Sequence, residues 1–303
     1  MKKILFASAA ALALTGGTAT AQNITFSGDA RMGVVYNSTL AQTTMFSSRA
    51  RMTIRMMRTT DSGMEVGAQF RVDQGGQAIG NAGMTGGTVF IDGEFGRLTM
   101  GDIAGAVQGV VGNLPNIGYS ELRQGPQWLS NNTAGRTSAR YQYSFDGFTV
   151  MLSSDQLTPS GGNGMAAIGV SYEFDGIKVS LGHETGRSTF NLGTVFSAGD
   201  RVSHTMLGVE ADIDMVSLKA VYGEARNSST ATKASQYGVS AQGTFDATTV
   251  TAYYMRRLNT SRNFGIGASY NLGGGAHLRG AVNRSRLGGV STNTADFGIT
   301  MSF

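Results

Sequence analysis

The carboxyl-terminal end of the chain alternates strictly between apolar and polar residues. Every second residue from position 295 is apolar, namely Ala295, Phe297, Ile299, Met301 and Phe303. The residues between them are polar or small, among them Asp296 and Thr300. A period of two predicts a β-strand with one apolar face and one wet face. We therefore predict a carboxyl-terminal strand that ends on an aromatic residue.

The same alternation recurs along the chain. Residues 24–36, 46–58 and 64–73 read as three further strands, each with apolar residues on one face and charged residues on the other. We count sixteen candidate strands, and the residues after position 21 leave roughly 10 residues per strand plus loops. An all-β fold is predicted, and its even number of strands is typical of a transmembrane antiparallel β-barrel.

Short and long connections alternate between these strands. Short turns are predicted at 59–63, 93–96, 146–147, 175–176, 212–214, 246–247 and 273–275. Longer polar stretches are predicted at 74–86, 101–135, 155–164, 185–202, 226–234, 256–262 and 284–293. This layout is typical of bacterial barrels, in which turns face the periplasm and long loops face outside.

A secreted β-sandwich is the competing architecture. It would place charges on its outer faces, whereas this chain keeps its charges opposite the apolar face in strand after strand. Aromatic residues also flank or precede the short turns, as in a membrane-interface girdle. These aromatics are Phe145, Phe148, Phe174 and Phe245. The pattern favours a closed barrel in lipid, where every backbone group is paired.

The amino-terminal residues predict export. Lys2 and Lys3 precede a short apolar run at 4–14, and Ala19-Thr20-Ala21 supplies a small-x-small cleavage site. The run is too short to span a bilayer as a helix, which needs roughly 20 residues. We predict a signal peptide at residues 1–21 and a single barrel domain at 22–303, located in the outer membrane of a Gram-negative bacterium.

Composition narrows the chemistry. The chain of 303 residues has no cysteine, which excludes disulfides and thiol catalysis, and its 44 glycines with only 3 prolines suit many turns and close strand contacts. Its formal net charge is +4, and two of those charges are Lys2 and Lys3. Such a near-neutral balance gives no argument for a nucleic-acid partner.

Arginines are concentrated on the polar face of the first three strands. These are Arg31, Arg49, Arg51, Arg55 and Arg71. A barrel of sixteen strands holds a water-filled channel, so we expect these side chains to form a basic ladder on the pore wall that filters passing solutes. The alternative is that they only pair with loop carboxylates or hold the barrel's shape. We favour the filter because few carboxylates are expected nearby.

The stretch 101–135 is too long for an ordinary hairpin loop and unusually apolar for one in free solution. We expect it to fold back into the lumen as the third external loop and to narrow the pore; the alternative is a disordered external loop. The residues expected at this constriction are Asp102, Leu114, Pro115, Tyr119, Glu121, Arg123 and Trp128.

At these residues the chain resembles a known family. Ser-Gly-Asp-Ala-Arg-Met-Gly-Val at 27–34 is followed by Phe-Ser-Ser-Arg-Ala-Arg at 46–51, Thr-Thr-Asp-Ser-Gly at 59–63 and Met-Gly-Asp at 100–102. Gly-Ala-Ser-Tyr at 267–270 and Leu-Gly-Gly-Gly-Ala at 272–276 come near the end. In order and spacing the set resembles the general diffusion porins of Rhodobacter-like alphaproteobacteria.

The resemblance implies a homotrimeric porin through which small hydrophilic solutes and ions diffuse. Its partners would be outer-membrane lipid and the barrel assembly machinery, with Phe297, Ile299, Met301 and Phe303 forming the strand used in assembly. Arg31, Arg49, Arg51 and Arg71 match the family's arginine wall, and Arg55 would add to it. Small residues on the outward face of the early strands, such as Ala30 and Ala50, would permit contact between subunits.

The chain departs from the family in its third loop. Between 103 and 135, Glu121 is the one acidic residue and Arg123 the one basic residue, whereas similar porins carry many acids there, some of which bind calcium. We therefore expect no cofactor, since calcium would follow only from the resemblance. With arginines kept and acids lost, we expect a pore that leans toward anions or is close to neutral.

Three other functions are weighed. A barrel enzyme would need a serine and a histidine on one face, but Ser203 and His204 are adjacent and point to opposite faces. A sugar- or anion-selective channel of the same fold would use an aromatic track, for which Tyr119 and Trp128 are the candidates. An adhesive or structural barrel with a plugged lumen would not conduct. We expect no catalytic residues and no metal site.

Overall fold

The chain folds as a closed antiparallel β-barrel. In the computed structural model, the described residues are 23–75, 82–84, 86–122, 125–130, 138–155, 164–188, 191–193 and 195–303. The predicted signal peptide thus lies outside the described residues. The first strands are β1 (Asn23–Asn37), β2 (Thr44–Thr59), β3 (Glu65–Gly75), β4 (Ala82–Met84), β5 (Thr88–Gly93) and β6 (Gly96–Gly101). One short helix, α1 (Ala106–Val111), follows β6.

Eleven further strands complete the described part of the sheet. They are β7 (Ser138–Phe145), β8 (Phe148–Ser154), β9 (Gly164–Phe174), β10 (Ile177–Arg187), β11 (Arg201–Ile213), β12 (Val216–Asn227), β13 (Thr232–Phe245), β14 (Thr248–Arg256), β15 (Arg262–Gly273), β16 (Ala276–Leu287) and β17 (Val290–Ser302). Each pairs with its neighbour in sequence, and β3 pairs with both β4 and β5. Because β4 and β5 share one position, the barrel has sixteen strand positions, as the sequence predicted.

The last strand closes the barrel. β17 pairs with β1 from Asp29↔Ser302 to Asn37↔Thr294. Two further backbone hydrogen bonds join Gly28 and Phe303, from Gly28 N to Phe303 O (3.1 Å) and from Phe303 N to Gly28 O (2.9 Å). Closure leaves no free sheet edge, which is what a lipid environment demands of a β-structure.

Apolar side chains cover the outside of the barrel. In β10, residues 177, 179 and 181 are exposed while 180, 182 and 184 are buried, and the same alternation runs through β11–β15. Exposed Phe145, Phe148, Phe174 and Phe245 lie at the short-turn end, and the Phe145 and Phe148 rings stack at 5.6 Å. The aromatic girdle inferred from the sequence is therefore present. Among the described residues, no helix is long and apolar enough to cross a membrane.

The tight turns owe their shape to residues that tolerate left-handed backbone. Asp146-Gly147 and Asp175-Gly176 have positive φ at both positions, the geometry of a type I′ hairpin. The prediction of long loops at 226–234 and 284–293 is wrong. β12 and β13 are joined by residues 228–231 alone, and β16 and β17 by Gly288-Gly289, with φ of 56° and 87°. These strands extend beyond the membrane toward the long-loop end, where both of their faces are polar. The apolar–polar alternation is therefore absent from this part of their sequence.

The buried core lies where the segment after β6 packs on the inner face of the barrel. Val107, Val110 and Val111 of α1 are each at most 1% exposed. They cluster with Met151, Met206, Tyr253 and Met255 from β8, β11 and β14, among others. This core holds the segment 102–130 in place, in contrast to a soluble barrel, whose core would be made by the strands themselves.

Candidate functional site

The segment 102–130, of which residues 123 and 124 are not described, rests on a track of glycines. Val110 lies over Gly169, Val107 over Gly182 and Val111 over Gly208, so closely that a Cβ at each glycine would come within 3.0 Å of the valine side chain. Gly238, Gly265, Gly267, Gly298 and Gly33 continue the track beneath the rest of the segment. All are residues whose missing side chain makes room for the segment.

A buried polar network fixes the later part of this segment. Glu184 on β10 accepts hydrogen bonds from the backbone N–H groups of Leu129 and Ser130, both at 2.8 Å. His204 on β11 donates from Nδ1 to the same carboxylate at 2.8 Å, and Gln236 on β13 donates from Nε2 to His204 Nε2 at 2.9 Å. Glu184, His204 and Gln236 are each at most 1% exposed. A network this buried is stable only because every partner is satisfied.

Gln236 extends the same network by a two-way bond with the segment. Its Oε1 accepts from Gln127 N and its Nε2 donates to Gln127 O, both at 2.9 Å. Ser203, next to His204, faces outward, so the two do not form a dyad. Glu184 and Gln236 were not predicted from the sequence, and His204 was considered only as a partner of Ser203. Their signal was present, since an acid and a histidine occupy wet-face positions on adjacent strands.

The middle of the segment is fixed at the opposite side of the barrel. Ser120 N donates to Asp296 Oδ2 on β17 at 2.7 Å, and the Ser120 hydroxyl donates to the same oxygen. The Tyr119 ring, 1% exposed, covers Gly33 of β1 and Gly298 of β17. Arg31 Nη1 donates to Tyr119 O at 3.1 Å. The segment therefore contacts β8–β11 and β13 at its start and end, and β1 and β17 at its middle.

Three wall arginines converge on one carboxylate of the segment. Glu121 lies 3.2 Å from Arg49 and 3.8 Å from both Arg31 and Arg51. Arg31 and Arg49 are directly opposite each other in the β1–β2 ladder. Like charges at such positions repel, and Glu121 offsets that repulsion. Its side chain is 41% exposed, so this carboxylate is still in contact with solvent.

The environment of Glu121 holds its carboxylate in the charged form. Burial alone raises the pKa of Glu121, but the hydrogen bond from Arg49 and the charges of Arg49, Arg31 and Arg51 outweigh it and lower the pKa below its ordinary value. Its backbone adopts φ 64°, a left-handed conformation that is uncommon outside glycine. Strained backbone of this kind is retained where surrounding contacts determine it.

Carboxylates near the arginines are more numerous than the sequence analysis expected. Asp29 accepts from Arg51 Nε at 2.8 Å and lies 3.5 Å from Arg49. Asp73 accepts from Arg71 Nε at 2.5 Å and from Nη2 at 2.8 Å. The expectation of few nearby carboxylates was therefore wrong. Asp73 is two residues from Arg71 on β3, whereas Asp29 contacts Arg51 because the β1–β2 register places them opposite each other.

The remaining wall cations contact an aromatic ring. Arg55 lies over the Phe90 ring at 5.5 Å from its centroid, and Arg97 lies over it at 3.8 Å. Phe90 is 2% exposed and shares the inner face with both arginines. Arg97 and Arg140, which face inward on β6 and β7, were missed in the sequence analysis. Arg140 Nη1 donates to Ala104 O at 3.2 Å and so supports the start of the segment.

A cleft of about 270 Å³ lies between the segment and the arginine wall. Its wall residues are Asp29, Arg31, Arg49 and Arg51 of β1 and β2 and His277 and Arg279 of β16, and Glu121 lines it from the segment. His277 and Arg279 face inward, alternating with the exposed Leu278. The cleft offers four guanidinium groups and two carboxylates to any solute that passes.

The apolar residues expected at the constriction pack against the wall. Leu114, Tyr119 and Trp128 are 2%, 1% and 7% exposed, and Pro115 is partly buried. Trp128 donates from Nε1 to Asn113 Oδ1 at 3.1 Å. An aromatic track of Tyr119 and Trp128 for sugars is therefore wrong, because both rings are covered. Asp102 is exposed, and Arg123 lies outside the described residues.

The carboxyl-terminal strand places its apolar residues on the outside. Phe297 is 60% exposed and Phe303 is 77% exposed, whereas Asp296, on the inner face of the same strand, is 6% exposed. Ile299 and Met301 are opposite Met32 and Ala30 of β1. The alternation that predicted this strand is therefore confirmed, with Asp296 serving the segment and the apolar residues facing outward.

Comparisons with known proteins agree with this geometry. The sequence profile described as Gram-negative porin matches residues 7–289. A porin of Rhodobacter capsulatus is 32% identical over 312 residues, covering 92% of this chain and 100% of the relative. A solved porin structure is 29% identical with a TM-score of 0.76, covering 93% of this chain and 100% of that one. A multiply substituted Rh. blastica porin, 19% identical with a TM-score of 0.70 and the same coverage, is similar in fold.

Proposed function

Because this chain belongs to the Gram-negative porin family and forms an outer-membrane channel for passive diffusion, we propose that its passage is weakly selective and leans toward anions. The observation that carries this proposal is the convergence of Arg31, Arg49 and Arg51 on Glu121. Small hydrophilic solutes and ions would pass this cluster through water, without a binding site of high affinity.

In this proposal the segment 102–130 lies inside the lumen, against the barrel wall. Its contacts with β8–β11 and β13 lie on the inner face of one side, and its contacts with β1, β2 and β17 lie on the inner face of another. A chain that packs on the inner faces of so many strands occupies part of the lumen and narrows it. The passage would then run between this segment and the arginine wall.

The charge balance at this passage supports a preference for anions. Four guanidinium groups line the cleft, from Arg31, Arg49, Arg51 and Arg279, and Arg71 faces the lumen on the neighbouring strand β3. Among the described residues, the carboxylates that pair with them are Asp29, Asp73 and Glu121. The pairing reduces the field of the arginines without cancelling it, so a modest excess of positive potential remains.

The same cluster argues against a bound cation. Glu121 is the one described carboxylate of residues 103–122, and it is already paired with arginines. A calcium ion would have to displace those guanidinium groups and find several more oxygen ligands. We infer that the channel works without a cofactor and carries no catalytic activity. The signal peptide at residues 1–21 and the barrel domain at 22–303 belong to the same proposal.

We propose a homotrimer embedded in outer-membrane lipid, with β1–β3 near the threefold axis. Ala30 and Ala50 are directly opposite each other on the outward face there, so a neighbouring subunit can approach the sheet closely. The barrel assembly machinery would engage β17, which carries Phe303 at the strand end. The outward position of Ala30, Ala50 and Phe303 and the family resemblance support contact with a neighbouring subunit and with the assembly machinery.

Reversal potential across a planar bilayer under a salt gradient tests the selectivity. We expect a small anion-leaning potential for the wild type and a further shift toward anions for Glu121→Gln. Removing one charge about 8 Å from the path is worth roughly 0.5 kcal/mol in water, or about a twofold change in permeability ratio. Because salt screens this effect, the shift should shrink at high ionic strength.

Glu94→Gln provides the matched control. Glu94 is exposed in the short turn between β5 and β6, away from the arginine cluster, so its removal should leave the reversal potential unchanged. A strong cation preference of the wild type would overturn the proposal. An equal shift in both variants would mean that overall charge, and not the cluster, governs the passage.

A further inference from the structure

Basic side chains are directly opposed on the outer surface at the long-loop end of β10–β13. Arg187 of β10 is opposite Arg201 of β11, and Arg226 of β12 is opposite Lys233 of β13. All four side chains are exposed and lie at outward-facing positions, which are the odd residues in β10, β11 and β13 and the even residues in β12. They have no role in the lumen, because their strands present the alternate residues there.

A third set continues the row. Arg256 of β14 is opposite Arg262 of β15, which is opposite Arg286 of β16. Arg256 lies over the outward Tyr237 ring at 5.9 Å from its centroid, which confirms the direction of its side chain. We call the seven side chains of these three sets the basic belt. It runs around the barrel from β10 to β16, at a similar height in each strand and next to the long loops.

Like charges directly opposite each other destabilise a sheet. Among the described residues, the ion pairs of the basic belt are those of Glu224 with Arg226 at 2.7 Å and with Lys233 at 4.0 Å. One carboxylate for seven cations leaves the belt strongly positive. A barrel gains nothing from such an arrangement unless an anion bound from outside offsets the repulsion.

The surface next to the basic belt is apolar. A cleft of about 480 Å³ opens outward between β10 and β12, with Arg226 and His183 at its polar side and Leu207 and Tyr222 at its apolar side. Leu207 and Tyr222 are 44% and 50% exposed, and exposed Phe264 and Ile266 continue the apolar surface on β15. A ligand that fits this surface carries a negative head and a hydrocarbon tail.

We propose that the basic belt binds phosphate-bearing head groups of lipids in the outer leaflet, with acyl chains packed on the apolar surface beside it. Guanidinium groups bind phosphate through paired, charge-assisted hydrogen bonds, and each phosphate bridges two opposed cations. Lipid head groups lie at the height where the outward surface changes from apolar to basic. The proposal uses the outer-membrane location and is independent of the pore's selectivity.

Lipid binding to the detergent-purified trimer or monomer, measured by native mass spectrometry, tests the proposal. The probes are phosphatidic acid and diacylglycerol with the same acyl chains, and inorganic phosphate as a competitor. We expect retention of phosphatidic acid over diacylglycerol. The double variant Arg226→Gln with Arg262→Gln should lower the apparent affinity for phosphatidic acid about tenfold or more, since each change removes a charge-assisted bond.

Two further variants separate the basic belt from net charge and from folding. Arg58→Gln removes an outward cation at the short-turn end of β2 and should leave phosphatidic acid binding unchanged. Glu224→Gln removes the competing carboxylate and should strengthen binding. Single-channel conductance should stay at the wild-type value in all variants, which shows that the barrels are folded.

Three results would overturn the proposal. Equal retention of diacylglycerol would mean that acyl chains alone bind, and full displacement by millimolar inorganic phosphate would mean an anion site without lipid specificity. Dissociation of an oligomer in the double variant, with phosphatidic acid binding unchanged, would identify the basic belt as a contact between subunits.

Discussion

At the scale of single residues, Glu121 connects the segment 102–130 to the arginine wall. Its carboxylate lies within 3.8 Å of three guanidinium groups, and its backbone holds a left-handed conformation. Removing it leaves Arg31 and Arg49 opposed with less compensation. One side chain therefore affects both the field in the passage and the position of the segment.

Acidification should change selectivity only below the ordinary range of a glutamate. The lowered pKa of Glu121 means that its ion pairs are fully present above its ordinary pKa of 4.5 and are lost as pH falls through the lowered value. The wild type should then become more anion-selective, whereas Glu121→Gln should lack this component. Reversal potentials recorded from neutral to acidic pH check this, and a shift toward anions that is complete above pH 4.5 would contradict it.

Glu184 is the residue whose loss should cost most stability. Glu184→Gln replaces an acceptor of three hydrogen bonds with an amide that points a donor at other donors. Breaking a buried pair costs roughly 3–5 kcal/mol. Denaturant unfolding in detergent should show this loss, together with faster proteolysis of the segment near Leu129.

Glu210→Gln serves as the control for Glu184→Gln. Glu210 faces inward on the same wall and pairs with Lys219 at 2.7 Å, but its side chain is 36% exposed. Such a pair contributes about 0–1 kcal/mol. Comparable destabilisation by both variants would mean that burial of the Glu184 network does not matter.

The sequence predicts which residues face inward better than it predicts their partners. A period of two places Arg31, Arg49 and Arg51 on one face without knowledge of the register. Their pairing with Asp29 depends on which residue of β1 is opposite which residue of β2, and the sequence alone does not specify this. Glu184 and Asp296 were missed as anchors for the same reason, since their partners are more than 50 residues away.

At the scale of elements, the helix α1 and its track of glycines act as one packed unit. Val107 of α1 lies over Gly182 of β10, and a Cβ there would be 2.9 Å from the valine Cγ1 and 3.1 Å from its Cα. The three atoms nearest to that Cβ all belong to Val107. The wall is therefore shaped to receive the segment.

Gly182→Val should push α1 away from the wall. Overpacking of this kind costs about 1–3 kcal/mol, and the displaced helix should lower single-channel conductance because it moves toward the passage. Ala241→Val, which adds volume on the outward face of β13, is the control and should leave both properties unchanged. Unchanged conductance in Gly182→Val would show that the segment absorbs the added volume elsewhere.

Strand ends were the least predictable elements. The stretches 226–234 and 284–293 read as loops because both faces of a strand are polar once it extends beyond the lipid. In the structure β12 continues to Asn227 and β16 to Leu287. Gly288-Gly289 then turns the chain in two residues. The polar residues on either side of this turn made the whole stretch resemble a loop. Hydrophobic alternation reports on the lipid-facing part of a strand and not on its full length.

At the scale of the whole molecule, the barrel presents two different outer surfaces. Small residues such as Ala30 and Ala50 lie on the early strands, while the basic belt and its apolar border occupy β10–β16. The two proposals thus place subunit contact and lipid contact on different strands. This separation is consistent with a trimer whose later strands face the membrane.

Ala50→Trp should weaken the trimer. A bulky apolar side chain is tolerated in lipid but not where a neighbouring subunit approaches the sheet. We expect trimers to dissociate at a lower temperature in detergent gels. Ala220→Trp on the outward face of β12, opposite Val209 and Val239, should leave the dissociation temperature unchanged. Equal behaviour of both variants would place the threefold axis elsewhere.

Barrel closure also sets the order in which the molecule is built. The segment 102–130 is held by β10, β11 and β13 at its start and end and by β1, β2 and β17 at its middle. β17 takes its place beside β1 only when the barrel closes, so the hydrogen bonds from Ser120 to Asp296 of β17 form with closure. Contacts of such long sequence separation require the loop-closure entropy of the intervening chain to be overcome first. We expect the segment to be fully docked only at that step, so an intermediate halted before closure would expose it to periplasmic proteases.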